Sequence, residues 1–257
     1  MQSRTLLINN DAFSLVEIMV AMAIFSIIMA CVIGAFHEQL RMHSKQQSIS
    51  GMQQNVRTAM YFITRELMMA GFDPTGSANT GIKPIANRHD AVMVSMDVTG
   101  GESDGIDNDG DGKHDNLQEA IFGDGKADDS NEVITYALKN GQLTRASGNG
   151  SPQVLADNID TLDFEYFGLN PHDPDCGDNC HLDLSQAAAD PDAIRFVQVS
   201  IISRSNSETA AKNMRVYDDS IYHNQVGKII LNKEKNPDRM RRLLLSTEIN
   251  LRNQGLR

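Results

Sequence analysis

The sequence predicts an α+β protein in which one long N-terminal helix packs on an antiparallel β-sheet with long loop insertions. Two observations predict this fold class. An apolar run near the N-terminus continues into an amphipathic stripe of helical period, and the residues after Pro74 form short runs typical of strands. Strands and helices do not alternate along the chain, so a parallel sheet is not expected.

The first element is a continuous apolar run at residues 13–36, FSLVEIMVAMAIFSIIMACVIGAF, in which Glu17 is the single charged residue. As a helix this run would extend about 36 Å, enough to cross a hydrocarbon core of about 30 Å. A secretory signal normally has an apolar core of about 7–15 residues followed by a small-residue cleavage site, and this run fits neither feature. We therefore expect a membrane-spanning helix.

Glu17 is unusual in such a run, because an ionisable side chain in a spanning helix costs about 2.5–3.5 kcal/mol and normally has a function. It follows Phe13 by one helical turn. If the chain is cut between Ala12 and Phe13, the new α-amine can pair with the Glu17 carboxylate of the same chain or of a neighbour. Such a pair would offset the cost of burying both charges.

The segment FSLVEIMVAMAIF resembles the type IV prepilin signature, F-[ST]-L-[VI]-E followed by an apolar stretch. The resemblance implies that a prepilin peptidase removes the leader 1–12 and methylates Phe13, and that Glu17 guides assembly into a filament. It implies other major and minor pilins as partners. It also implies the bacterial inner membrane as the location before assembly, with the globular part in the periplasm. Ala12 stands where the family usually has Gly.

The helix is predicted to continue beyond the apolar run to residue 70. Apolar residues recur there at steps of three and four, at Met52, Val56, Ala59, Met60, Ile63, Leu67 and Ala70. Gly71 is a suitable C-cap, and Pro74 cannot continue a helix. A helix over 13–70 would be about 87 Å long, and we expect its second half to pack on the sheet.

The remaining residues, 71–257, are predicted to form a β-rich globular domain. The strand-like segments are 91–98, 132–138, 142–145, 161–167, 193–202 and 242–251. Asn140-Gly141 between the second and third segments predicts a tight hairpin turn.

Several of these segments resemble one branch of the pilin family, the large minor pilins called PilW. The resembling segments include MYFITRELMMAGFDPTG, EVITYALKNGQLTR and RRLLLSTEINLRNQGL. This implies a structural subunit that helps to initiate or cap type IV pilus assembly. A GspJ-type pseudopilin of a type II secretion system has the same architecture and is the alternative. A calcium-dependent adhesin at a filament tip is a further alternative. The sequence contains no G-x-S-x-G, Walker or H-E-x-x-H motif, so an enzyme is not expected.

The charge of the chain is concentrated in one segment. The net charge is −11, and residues 97–131 contain eleven acidic residues against two lysines. A nucleic-acid partner is not expected, because phosphate binding needs clustered Lys and Arg.

Within that segment, DGIDNDGDGKHD at 104–115 has the spacing of a calcium loop. Its predicted ligands, at loop positions 1, 3, 5, 7 and 9, are Asp107, Asp109, Asp111, the carbonyl of Lys113 and Asp115, with Gly112 at the sharp turn. Position 12 is Gln118 in place of the usual Glu, so the closing ligand is open; the other candidates are Asp104, Glu119, Asp124 and Asp128. The alternative is a solvated acidic loop without an ion.

A second polar loop contains Cys176 and Cys180. A short disulfide between them is the first interpretation, since a filament subunit lies outside the cytosol. A zinc site that adds His172 and His181 is the second interpretation. Covalent haem needs C-x-x-C-H, and C-G-D-N-C-H has one residue too many.

Overall fold

The structure is a computed structural model that describes residues 14–101, 104–107, 110–114, 117–118, 122–129, 131–169, 180–205 and 217–254. Its elements in chain order are α1 (Leu15–Met69), β1 (Gly81–Pro84), β2 (Ala91–Ser95), β3 (Val133–Lys139), β4 (Gln142–Ser147), β5 (Gln153–Asp157), β6 (Ile159–Gly168), β7 (Cys180–Leu182), α2 (Leu184–Ala189), a 3₁₀ turn (Pro191–Ala193), β8 (Ile194–Arg204), β9 (Ile221–His223), β10 (Ile229–Asn232) and β11 (Arg242–Asn250). The predicted α+β class is confirmed, and the paired strands are antiparallel.

The chain divides into two compact units, of which the first ends at Gln47 and the second begins at Ser48. In the first unit α1 is long and apolar enough to cross a membrane. Its most apolar window has a mean hydropathy of 2.7, and none of that window is buried. From Leu15 onward the predicted apolar run therefore lies on a continuous helix, and its large side chains are exposed within this chain.

In the second unit α1 contributes one face to the hydrophobic core. The whole predicted stripe is buried there, and from Val56 onward it belongs to a core cluster with residues from both large sheets. The helix ends at Met69, whose carbonyl accepts the backbone N–H of Phe72 at 3.0 Å. Gly71 adopts φ +79° directly after the helix, a left-handed conformation that favours glycine and confirms the predicted cap.

The first sheet has five strands in the order β1-β2-β3-β4-β5. Asn140 (φ 54°) and Gly141 (φ 74°) form the two-residue turn between β3 and β4, as the sequence predicts. Glu66 of α1 fastens the helix to this sheet, since its carboxylate pairs with Arg145 at 2.9 Å and accepts the hydroxyl of the fully buried Tyr136.

The second large sheet has four strands in the order β11-β8-β6-β7, and β9 and β10 form a separate two-stranded ribbon. Alternate side chains of β6, among them Leu162, Phe164 and Tyr166, belong to the core. Their neighbours in sequence, Asp163 and Glu165, therefore lie on the opposite face of the sheet. The ribbon contacts this polar face, because the Asn224 amide donates to Asp163 Oδ2 at 3.0 Å.

All six predicted strands are present, each with ends within three residues of the prediction. The largest difference is at β2, which ends at Ser95 rather than at residue 98. The backbone N–H of Asp97 donates to the Phe72 carbonyl at 2.8 Å, so the chain leaves the ladder there. The short elements β1, β5, β7, β9, β10 and α2 were not predicted, because three to six residues contain too little periodicity.

Candidate functional site

The first candidate site is the beginning of α1. Glu17 lies in the first turn, where its backbone N–H donates to the Ser14 carbonyl at 3.0 Å, and its side chain is exposed. Ile18, Ala21, Met22 and Phe25 surround it on the same apolar surface. Ala12 and Phe13 lie outside the described residues, so the predicted cleavage and the pairing with Glu17 stay predictions.

The second candidate site is the acidic loop. Asp107, at position 1 of the predicted calcium loop, accepts the backbone N–H groups of Asp111 (3.0 Å) and Gly112 (2.9 Å), at positions 5 and 6. Asp111 in turn accepts the backbone N–H of Lys113 at 2.8 Å, which holds the pKa of that exposed carboxyl below its usual value. The loop thus brings positions 1, 5 and 7 together.

Four further predicted ligands, Asp104, Gln118, Asp124 and Asp128, lie within the described residues. Asp104 accepts the backbone N–H of Ile106 at 2.8 Å, and Asp124 pairs with Lys126 at 3.2 Å. Gln118 and Asp128 are exposed. Asp109, Asp115 and Glu119 lie outside the described residues. The ligand set predicted from the sequence therefore stays a prediction.

Two buried carboxylates lie where the acidic segment begins and ends. Asp97 and Glu132 are fully buried, although acidic side chains rarely are unless they are paired. Glu132 accepts the backbone N–H groups of Val98 and Thr99, each at 2.9 Å. Sequence reasoning gave no separate role to either residue, since Asp97 was one of many acidic residues and Glu132 was assigned only to a strand.

A further polar cluster on the outer face of the four-stranded sheet was also missed. Lys228 from the β9–β10 ribbon pairs with Asp163 at 3.2 Å and with Glu165 at 2.5 Å. Burial alone would raise the pKa of Glu165, but hydrogen bonds from Lys228 and His181 hold it below its usual value. In the sequence, Asp163 and Glu165 are two residues apart within a predicted strand, and this spacing puts both side chains on one face of the sheet. That spacing is the signal from which the cluster could have been found.

The second cysteine of the predicted disulfide, Cys180, begins β7 and is buried. Cys176 and His172 lie outside the described residues, so the disulfide and the zinc alternative both stay predictions. His181 Nε2 lies 2.9 Å from Glu165 Oε2, and its ring packs edge-on against Phe167. His181 is therefore held by the cluster on β6.

One comparison with known protein families falls on the first candidate site. The prokaryotic N-terminal methylation motif matches residues 8–32, a stretch that includes Ala12, Phe13, Glu17 and the beginning of the exposed apolar helix. The chain therefore contains a prepilin-type methylation motif at the beginning of its apolar helix.

The chain gives no match among curated proteins. Among solved structures, a type IV-like pilin from Thermus thermophilus aligns with a TM-score of 0.41 at 13% identity, over 79% of this chain and 97% of that chain. The interpretation of this site depends on the motif and on the helix from Leu15 onward, which includes the second part of the motif.

Proposed function

We propose that this pilin-like chain is a minor pilin of the PilW kind, a structural subunit that helps to initiate or cap type IV pilus assembly. The observation that carries the proposal is the methylation motif at the N-terminal end of an exposed apolar helix with Glu17 in its first turn. Before assembly α1 would anchor the chain in the bacterial inner membrane with the β-rich unit in the periplasm. In the filament the same helix would pack against other pilins.

The physical reason for the proposed role of Glu17 is the energetics of a charge on an apolar surface. The side chains next to Glu17 are apolar, and the structure shows no cation paired with it in the part of the chain that is described. An unpaired carboxylate costs about 2.5–3.5 kcal/mol in a membrane, and a cationic α-amine at Phe13 of the adjacent subunit would remove that cost. The ion pair forms only when adjacent subunits are correctly aligned along the filament. A subunit is therefore stabilised on leaving the bilayer only when it has the correct register.

We expect the purified mature chain to begin at N-methylated Phe13, and Glu17→Ala to be processed there but to enter filaments poorly. N-terminal sequencing measures the first outcome, and immunoblotting of sheared filaments measures the second. Glu38→Ala is the matched control. Glu38 is an exposed acidic residue on the same helix, and its carboxylate lies 3.8 Å from the Arg41 guanidinium. Wild-type incorporation of the Glu17 variant would contradict the proposed mechanism.

A deletion strain that keeps its pili but loses protein secretion would indicate a pseudopilin instead.

We also propose that calcium stabilises the acidic loop. The support is the D-x-D-x-D-G spacing, together with the hydrogen bonds that fold positions 1, 5 and 6 onto one another. A hard divalent cation would also reduce the mutual repulsion of the carboxylates in this segment.

The expected result is that millimolar calcium raises the melting temperature of the full-length chain in detergent, and that Asp107→Asn reduces this rise. Asparagine keeps the shape of the side chain but removes the charge that favours the ion. Magnesium at the same concentration is the control, because its smaller octahedral shell suits this loop less well. A calorimetric titration without a heat of calcium binding would refute the loop site.

A further inference from the structure

The polar face of the four-stranded sheet holds two buried carboxylates that share one ammonium group. Asp163 and Glu165 are each less than a tenth exposed, and both pair with Lys228. Among the described residues no other Lys or Arg pairs with either of them. One ammonium balances one carboxylate, so one negative charge of the pair remains. A buried charge of this kind is unfavourable unless a proton or a further cation lies beside it.

The pKa of Asp163 indicates the same shortage of positive charge. Burial raises this pKa, and the negative charge of Glu165 raises it further. Hydrogen bonds from Asn224 and Lys228 oppose the rise but do not cancel it. Lys228 therefore compensates the two carboxylates only in part.

A histidine from another part of the chain reaches the same two carboxylates. His89 lies just before β2, and its backbone carbonyl accepts the N–H of Phe164, the residue between Asp163 and Glu165, at 2.9 Å. The ring Nδ1 of His89 lies 3.8 Å from Glu165 Oε1. This nitrogen is buried and has no hydrogen-bond partner among the residues that the structure describes. It is thus a buried polar atom that faces a carboxylate without bonding to it, and such an atom requires an explanation.

The distances suit three ligands of one metal ion. One ligand atom from each of His89, Asp163 and Glu165 lies within 4.8 Å of the other two. Two ligands of a tetrahedral zinc ion, each about 2.1 Å from the metal, are about 3.4 Å apart. Small side-chain rotations would therefore bring the three atoms onto one ion. His181 Nε2 lies 2.9 Å from Glu165 Oε2, the oxygen next to the one that faces His89, and holds this carboxylate in place.

We propose that His89, Asp163 and Glu165 bind a divalent transition-metal ion of the zinc class, with water in the remaining coordination position. The imidazole ligand favours such an ion over calcium and magnesium, which prefer oxygen. With a neutral imidazole, a divalent ion balances both carboxylates, which Lys228 alone does not. The site is separate from the acidic loop. It also differs from the zinc site that the sequence predicts at Cys176 and Cys180, since it uses neither cysteine.

Lys228 is the competing cation at this site. Its side chain is 40% exposed, while its backbone N–H donates to Asn224 Oδ1 at 2.9 Å and keeps the chain in place. A lysine with a partly exposed stem can rotate its ammonium into solvent without moving the backbone. Metal binding would therefore displace the ammonium from Asp163 and Glu165.

The consequence of such a site is a link between the two large sheets. His89 directly precedes β2 of the five-stranded sheet, whereas Asp163 and Glu165 belong to β6 of the four-stranded sheet. An ion bound to all three side chains would add a second connection beside the backbone hydrogen bond from Phe164 to His89. We therefore expect zinc to raise the melting temperature of the β-rich unit.

The test is zinc titration calorimetry of the full-length chain in detergent after treatment with a chelator. Millimolar calcium is present to compete for the oxygen ligands of the acidic segment. We expect His89→Gln to bind zinc at least about tenfold more weakly than wild type, since one ligand is lost. We expect Lys228→Gln to bind it about tenfold more tightly, because one positive charge no longer competes. His223→Gln, at an exposed histidine of β9, is the matched control and should bind zinc as wild type does.

A purely structural role for Lys228 gives a different result. In that case the ammonium stays between the carboxylates, His89→Gln binds zinc as wild type does, and Lys228→Gln gains no affinity. Zinc held by the cysteines gives the same equality, and cobalt in place of zinc then shows a thiolate charge-transfer band in the near ultraviolet. Either outcome would overturn the proposal and leave the assembly role of Glu17 unaffected.

A second variant keeps the test decisive if His89→Gln does not fold, as judged by near-ultraviolet circular dichroism. Asp163→Asn removes one ligand charge but keeps the shape of the side chain, and Glu165 remains to pair with Lys228. It should also bind zinc at least about tenfold more weakly. Wild-type zinc affinity in Asp163→Asn refutes the site.

Discussion

Replacement of Arg242 by methionine is expected to lower the free energy of unfolding of the β-rich unit by about 3–5 kcal/mol. The Arg242 side chain is 1% exposed, and its guanidinium pairs with three carboxylates, those of Asp160 at 2.6 Å, Asp218 at 2.8 Å and Asp238 at 2.6 Å. Methionine fills a similar volume but provides no donor, so it leaves two mostly buried carboxylates and one half-buried carboxylate without their shared cation. Urea unfolding followed by tyrosine fluorescence measures the change, since the chain has five Tyr and no Trp.

The matched control is Arg88→Met, which removes a guanidinium from an exposed pair with Asp90 and is expected to cost less than about 1 kcal/mol.

The difference in the free energy of unfolding between wild type and the Arg242 variant should depend on pH. Hydrogen bonds from Arg242 hold the pKa of Asp238 well below its usual value. The stabilisation is therefore present above the ordinary carboxyl pKa of about 3.9 and is lost as the pH falls through the folded value. Equal losses in the two arginine variants at neutral pH would contradict the predicted role of the network.

The network around Arg242 also shows where sequence reasoning stops. Asp160, Asp218 and Asp238 come from three separate segments, and only the β-strand pairing and the loops between the strands bring them to one guanidinium. Periodicity locates a strand but does not determine which strand lies beside it. The same limit applies to Asp163, Glu165 and the ribbon that covers them.

The helix over Leu15–Met69, in contrast, was within reach of sequence reasoning. Its signals are local: an apolar run long enough to span a bilayer, a stripe at steps of three and four, and a glycine at the end. Glu17 could be singled out for the same reason, since one charge in an apolar run is visible without a fold. Asp97 could not be distinguished from ten other acidic residues in its segment, because its burial depends on tertiary packing.

Gly168→Ala is expected to destabilise the β-rich unit by about 3 kcal/mol, because a methyl group has no space at the end of β6. A Cβ on Gly168 would lie 1.9 Å from the Ala193 carbonyl oxygen and 2.9 Å from the Arg195 backbone nitrogen. Both are backbone atoms, so the clash cannot be relieved by a side-chain rotation. Gly168 pairs with Ile194 directly after a register shift between β6 and β8, and the two strands would have to separate there.

Gly51→Ala provides the control with the same chemical change. Gly51 lies within α1 in the β-rich unit, and a Cβ added to it would have no atoms within 4 Å outside the helix's own neighbouring backbone. Alanine there should therefore stabilise the helix by about 0.5–1 kcal/mol. The two variants should shift the urea midpoint in opposite directions with the same slope, since both leave the buried surface of the folded state nearly unchanged. If the urea midpoint of Gly168→Ala equals that of wild type, β6 does not approach the Ala193 backbone as closely as the structure shows. The register of β6 and β8, which places Asp163 and Glu165 beneath the ribbon, would then need revision at that end.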